Sequence, residues 1–313
     1  MKGLEISEKY YYEFGAPMIH SEFPDIESMI AVGLIGSGSE CFGFDDEIST
    51  DHDFEAGFCM FIPDENIIDR KTAFRLEKAY SALPKEFMGY KRQALNPVGG
   101  KRNGVIRIGD FFESKVGSVN GILSTRDWFS IPEYSLAEAV NGKVFRDDLG
   151  MLCEIRSHLS KMPENVRLKK LAGNTLILGQ AGQYNYSRCI SHGETAAAQL
   201  SAFEFVKAAM SIIFLLNRTY MPYYKWSFRA MKELPLLSAL SPSLEYLIST
   251  GNGNDEAAKK SDIIEDICYD IISELKNQSL SDFSGTSAEG HAYSVNSKIT
   301  DSEIRNLHIL FAV

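Results

Sequence analysis

Asp51 and Asp53 flank His52 in the segment Asp51-His52-Asp53-Phe54. In extended chain, side chains alternate faces, so the two carboxylates project together while His52 and Phe54 point the other way. Two like charges in one small volume repel unless a cation stands between them, and hard oxygen ligands at that spacing suit Mg²⁺, or Mn²⁺. Upstream, Gly36-Ser37-Gly38-Ser39 follows the apolar run Ala31-Val32-Gly33-Leu34-Ile35. A glycine-rich turn of this kind lets backbone N–H groups and serine hydroxyls approach phosphate oxygens. No Lys-Ser or Lys-Thr follows, so the turn is not a Walker A loop.

Each element alone is a weak signal, because acidic pairs often cap turns and G-S-G-S is often a plain linker. On consecutive apolar segments they resemble the nucleotidyltransferase superfamily, whose glycine-serine turn precedes an Asp-x-Asp pair by about nine to thirteen residues. Here thirteen positions, 38–50, separate Ser37 from Asp51. His52 departs from the pattern, where an apolar residue is usual. The wider string, through Glu40 and Cys41 to Asp53, is similar to a bacterial branch of that superfamily in which D-H-D is ordinary. The likeness continues in Gly142-Lys-Val-Phe-Arg-Asp-Asp-Leu-Gly and in Arg218-Thr-Tyr-Met-Pro-Tyr-Tyr-Lys-Trp.

That resemblance implies a palm like that of DNA polymerase beta. Asp51 and Asp53 would ligate Mg²⁺ or Mn²⁺, and Gly36, Ser37 and Ser39 would hold the phosphates of a nucleotide triphosphate, ATP first among them. The expected reaction moves a nucleoside monophosphate, AMP from ATP, to a hydroxyl, amine or phosphate acceptor on a small molecule, protein or RNA. Pyrophosphate leaves. Phosphoryl transfer is mostly positioning and charge neutralisation, so no nucleophilic side chain is required.

Active members add a third carboxylate from a later strand. The strand expected at Gly104-Val-Ile-Arg-Ile carries Arg107, with Asp110 and Glu113 beyond its end, and Asp110 is the choice for the third catalytic acid. If Arg107 takes the third position instead, it would neutralise phosphate in place of a metal, or the enzyme would be impaired. Arg218 and Lys225 supply cations beside aromatic rings that would grip the triphosphate and stack a base. The plainer readings are an aromatic packing cluster, and an Arg218 paired with a carboxylate. Two alternatives to turnover stay open: a nucleotide-binding regulatory protein without catalysis, and one member of a toxin–antitoxin or defence pair.

The elements that must position these residues follow from periodicity and turn residues. A short helix over 25–30 leads into a strand ending at Gly36, a buried strand is expected over 58–62, and a helix over 69–81. A loop over 89–103 carries Lys91, Arg92, Lys101 and Arg102. From Leu136 onward the pattern reads as helical, with helices over 149–159, 194–216 and 262–275, and capping-box spacing at Asp262/Glu265 and Thr300/Glu303. The fold class is α+β: a nucleotidyltransferase palm of mixed sheet and flanking helices over residues 1–140, then an all-α helical domain over 141–313.

Composition bounds the rest. The 313 residues are 44% hydrophobic and 24% charged, ordinary values for a globular chain. A net charge of −10 argues against a broad basic face for duplex DNA. The five cysteines form no C-x-x-C pair and the six histidines no H-E-x-x-H, which disfavours zinc. The longest apolar run, 208–216, is nine residues, well short of a membrane span, and the N-terminus lacks a signal-peptide core. The expected location is the cytoplasm.

Overall fold

The computed structural model describes residues 1–46, 56–91 and 103–313. The chain divides into two compact units, one of Met1–Asp127 with Ile131–Lys161, the other of Trp128–Ser130 with Met162–Val313. The fold class is α+β, with one small mixed sheet and a large helical content.

The first unit begins with α1 (Gly3–Tyr10), a π-helical stretch (Tyr11–Gly15) and α2 (Ala16–Glu22). Pro17, which has no N–H to give, sits in the first turn of α2, where the π stretch ends. Strand β1 (Ala31–Leu34) follows a single 3₁₀ turn (Glu27–Met29), shorter than the helix expected there. Next come β2 (Cys59–Ile62), α3 (Arg70–Ala82), the two-stranded ribbon of β3 (Glu86–Phe87) and β4 (Tyr90–Lys91), and β5 (Gly104–Arg107). The unit continues through α4 (Ile108–Val116), α5 (Thr125–Ser130), which crosses into the second unit, α6 (Glu133–Val140), β6 (Lys143–Arg146) and α7 (Met151–Leu159).

The sheet order is β5-β2-β1-β6, with β1 antiparallel to β2 and β6 and β2 parallel to β5. All residues of β1 and β2 are buried. Their unbroken apolar runs, A-V-G-L and C-M-F-I, reflect strands covered on both faces, where alternation is not required. Ile6, Tyr10 and Ile19 pack with Val32, Phe58, Met60, Leu76 and Tyr80 in one cluster, while the Phe61 ring meets Phe111 of α4. Asp69 caps α3 by accepting a hydrogen bond from Thr72 N at 2.7 Å.

Strand β6 corrects the helical reading of residues after Leu136. Its four residues are too few to show a period, and pairing with β1, more than a hundred positions earlier, makes them a strand. The pairing has an irregularity between Val32 and Gly33, where a Cβ on Gly33 would come within 2.6 Å of Lys143 O.

The second unit is all helical: α8 (Glu164–Leu178) with a π stretch (Gly179–Tyr186), α9 (Ser187–Ser191), α10 (Thr195–Leu216), α11 (Tyr224–Met231), α12 (Ser241–Ser249), α13 (Asn254–Asn277), α14 (Ala288–Ser297) and α15 (Ser302–Asn306). Helix α10 is long and apolar enough to cross a membrane, but 67% of its most apolar window is buried within the protein. Phe205, Ile212 and Ile213 of α10 sit in one core with Leu171, Leu244, Ile267 and Ile271. The helix matches the one expected over 194–216; the exposed Glu204 and Lys207 interrupt its apolar pattern, which is why its continuous apolar run reads as short.

Two helix starts differ from the expected ones. Helix α13 begins eight residues before Asp262, so Asp262 and Glu265 lie inside it rather than at its cap. At α15 the capping residue is Asp301, which accepts from Glu303 N and Ile304 N, while Thr300 donates its hydroxyl and N–H to Asn165 Oδ1. Asp is the stronger cap by charge, and it stands one residue nearer the first turn.

Candidate active site

Beyond β1 the chain enters Ile35-Gly36-Ser37-Gly38, with Gly36 at φ 105° and Gly38 at φ 128°. L side chains rarely adopt these angles and glycine adopts them freely. The Asn141 side chain bonds both polar groups of the Gly36 backbone, its Oδ1 accepting from Gly36 N and its Nδ2 donating to Gly36 O, each at 2.8 Å. Arg156 of α7 in turn donates to the carbonyls of Val140 and Asn141 at 3.0 and 2.8 Å. Gly142 N donates to Cys41 O at 2.9 Å, tying the far side of the turn to the start of β6.

Ser37 Oγ donates to Glu138 Oε2 at 2.7 Å and accepts from Lys115 Nζ at 2.9 Å, and Lys115 Nζ lies 2.5 Å from the same Glu138 oxygen. Both charged side chains are mostly buried. The Lys115 stem passes close to Gly36: a Cβ there would stand 3.3 Å from the Phe111 ring and 3.9 Å from Lys115 Cε.

The turn opens onto a cavity of about 740 Å³ whose walls include Gly36, Ser37, Glu77, Arg107, Asp110 and Lys115, with apolar surface from Phe74 and Phe111. Val105 N, on the outer side of β5, donates to Glu77 Oε2 at 2.9 Å, so this carboxylate covers a strand edge that would otherwise be unpaired. Arg107, the last residue of β5, gives its guanidinium to the carbonyls of Pro63 (2.7 Å) and Ile68 (3.1 Å). Asp110 is exposed in the first turn of α4.

Of the residues singled out by sequence, Gly36, Ser37 and Asp110 share this cavity, and Arg107 joins them. Ser39 is not among its lining; its hydroxyl donates to Glu40 at 3.5 Å and its carbonyl accepts from Phe42 N and Phe44 N. Asp51 and Asp53 lie outside the described residues, as do Arg92, Lys101 and Arg102. Among the described residues no group of three or more His, Cys, Asp or Glu side chains is placed to hold a metal ion.

Arg218 and Lys225 belong to the second unit. Arg218, at φ 54°, donates to both oxygens of Glu164 at 2.8 and 3.5 Å, the carboxylate pairing that was the plainer reading of this residue. Arg167 also donates to Glu164, and its guanidinium, with help from Arg218, pulls the Glu164 carboxyl down to about 2 against the opposing effect of burial. Lys225 and Arg229 lie over the Trp226 ring at 4.9 and 5.5 Å, and the Tyr223 and Tyr224 rings are 4.3 Å apart.

Lys115, Glu138 and Asn141 were not legible as site residues. Lys115 and Glu138 stand 78 and 101 positions from Ser37, so no local spacing joins them. The Asn141-Gly142 pair is a turn signal, but its partner is a backbone 105 positions away.

Residues 128–227 match the family described as "Domain of unknown function (DUF4037)". No curated protein matches the chain. No solved structure matches it either.

Proposed function

We propose that this chain is a Mg²⁺- or Mn²⁺-dependent nucleotidyltransferase that moves a nucleoside monophosphate, AMP from ATP, to an acceptor hydroxyl, amine or phosphate. The observation that carries the reading is the Gly36–Ser37 turn, clamped by Asn141 and opening onto a cavity within the usual volume range for small-molecule ligands. The turn ends β1, and β2, the antiparallel neighbour of β1, is the strand that follows Asp51 and Asp53 in the chain. A mixed sheet with β2 between an antiparallel and a parallel neighbour, and with helices on both faces, supports reading the first unit as a palm. The second unit is then the helical domain that follows it.

In this reading Gly36 and Ser37 bind the phosphates, and an acceptor atom attacks the α-phosphorus. The P–O bond to pyrophosphate breaks and pyrophosphate departs with the bonding electrons. Asp110, exposed on the cavity wall, takes the acceptor's proton. Asp51 and Asp53 would hold the metal, which when bound would neutralise phosphate charge. The acceptor is a small molecule, protein or RNA.

Incubating the protein with labelled nucleotide triphosphates, Mg²⁺ and cell extract, and reading the products by mass spectrometry, tests this. A labelled acceptor from wild type and none from Asp51→Asn is expected. No product from wild type, or equal product from both, refutes it.

One observation favours a second reading, a nucleotide-binding regulatory protein without turnover. Strand β5 carries no carboxylate, and Arg107 at its end is bonded to two backbone carbonyls. Tight ATP binding without pyrophosphate release distinguishes this case.

A further inference from the structure

We infer that Lys115 is a phosphate ligand of this cavity and that Glu138 is its internal stand-in for phosphate, occupying the cation until an anionic substrate arrives. The inference rests on the nucleotide reading of the Gly36–Ser37 turn and names a residue pair that the reading did not contain.

The geometry has three parts. Glu138 Oε2 accepts from both the Ser37 hydroxyl and the Lys115 ammonium, the pair of donors that a phosphate oxygen at this turn would also accept. Lys115 and Ser37 line the cavity, and Glu138 is not among the lining residues, so the carboxylate holds the donors from behind. Lys115 has three N–H donors, and two of them are given to Ser37 and Glu138.

The energetics give the pair a reason. A mostly buried ammonium without a counter-charge is costly, and removing its partner leaves that cost uncompensated. Glu138 meets it at 2.5 Å. A triphosphate brings several negative charges to the same ammonium through the open side, and Lys115 then answers to both. Glu138 therefore opposes the substrate electrostatically while Lys115 attracts it.

The opposition of sign is the test. Lys115→Met keeps most of the stem against Gly36 and removes the charge; Glu138→Gln keeps an acceptor for both donors and removes the negative charge. Binding of ATP and of inorganic tripolyphosphate is measured by calorimetry on the full chain with Mg²⁺, alongside thermal melts. Lys115→Met is expected to weaken both ligands about 10- to 100-fold, and Glu138→Gln to tighten both several-fold, with Lys115→Arg retaining part of the wild-type affinity.

If both variants weaken binding, or if Lys115→Met binds as wild type does, the cluster only scaffolds the turn and the inference is overturned while the nucleotide reading stands. If tripolyphosphate binds with the expected signs and ATP does not bind, the anion site stands and the nucleotide reading fails. If neither ligand binds wild type, both fail. Should Lys115→Met unfold, Glu138→Gln decides alone: tightening supports the inference and weakening overturns it.

Discussion

Asn141 holds the two ends of one peptide residue at once, its amide oxygen on Gly36 N and its amide nitrogen on Gly36 O, each at 2.8 Å. The side chain thereby acts as a short strand partner for a residue that has left the sheet. It fixes the glycine in a left-handed conformation that no regular pairing would hold.

Asn141→Asp replaces the donor facing the Gly36 carbonyl with a second oxygen. The variant should lose about 1–3 kcal/mol of stability, the cost of leaving a partly buried acceptor unmatched. Urea denaturation measures the loss, and calorimetry should show ATP binding falling with it, because the turn that would hold phosphate is no longer set. An unchanged midpoint together with unchanged binding would remove the clamp from the site.

Gly142 has φ 68°, and a Cβ there would lie 2.1 Å from Leu34 O. That contact is with backbone, which cannot swing aside. Gly142→Ala should cost about 2–4 kcal/mol through strain and displacement of β6 from β1. Its midpoint in chemical denaturation should drop well below that of an alanine at Gly150, where φ is also positive but the space is open.

Asp110 and Arg107 should separate chemistry from scaffolding. Asp110→Asn is expected to cost only about 0.3–1 kcal/mol of stability, the contribution of an exposed carboxylate in the first turn of a helix. It should lower turnover about 100-fold or more, with ATP affinity kept. Arg107→Ala should do the reverse, losing about 1–3 kcal/mol of stability through the abandoned Pro63 and Ile68 carbonyls. Turnover unaffected by Asp110→Asn would move the acceptor's base elsewhere.

His291 is fully buried. Its Nε2 faces Gly285 O at 2.9 Å, which can only accept, so Nε2 carries the ring proton and Nδ1 accepts from Ser281 Oγ at 2.7 Å. Burial holds the ring below the usual histidine range, so the folded form binds a proton less readily than the unfolded form. Stability should be complete above pH ~6.5 and fall as pH drops below it, with proton uptake on unfolding. Denaturation midpoints from pH 7.5 to 5 check this, and His291→Gln should flatten the slope.

Glu164 titrates on the other side. Its carboxyl is held near 2 by Arg167 and then Arg218, so its contribution is present above the unfolded value of ~4.3 and is lost as pH falls toward 2. With 47% of the side chain exposed, screening reduces that contribution to about 1 kcal/mol. The difference in unfolding free energy between wild type and Glu164→Gln should shrink between pH 4.5 and 2.5. A difference that stays constant over that range would show that the pairing does not set stability.

The sequence by itself determined the elements whose periods are long enough to read, and the residues whose chemistry is local. Helix α3, the buried strand β2, the turn at Gly36 and Ser37 and the helical character of the second unit all follow from spacing within a few residues. Asp51 and Asp53 are likewise a local pattern, and that is why they were visible. Tertiary structure decided what depends on distant partners. Residues 143–146 are a strand because β1 is beside them, and Arg218 meets Glu164 across 54 positions. Ser37 gains Lys115 and Glu138 as partners, and Gly36 gains Asn141, only when α4, α6 and the residue after α6 come against the end of β1. Hydrogen bonds and ion pairs act over about 3 Å, a distance that chain spacing reports only when partners lie within a turn of one another.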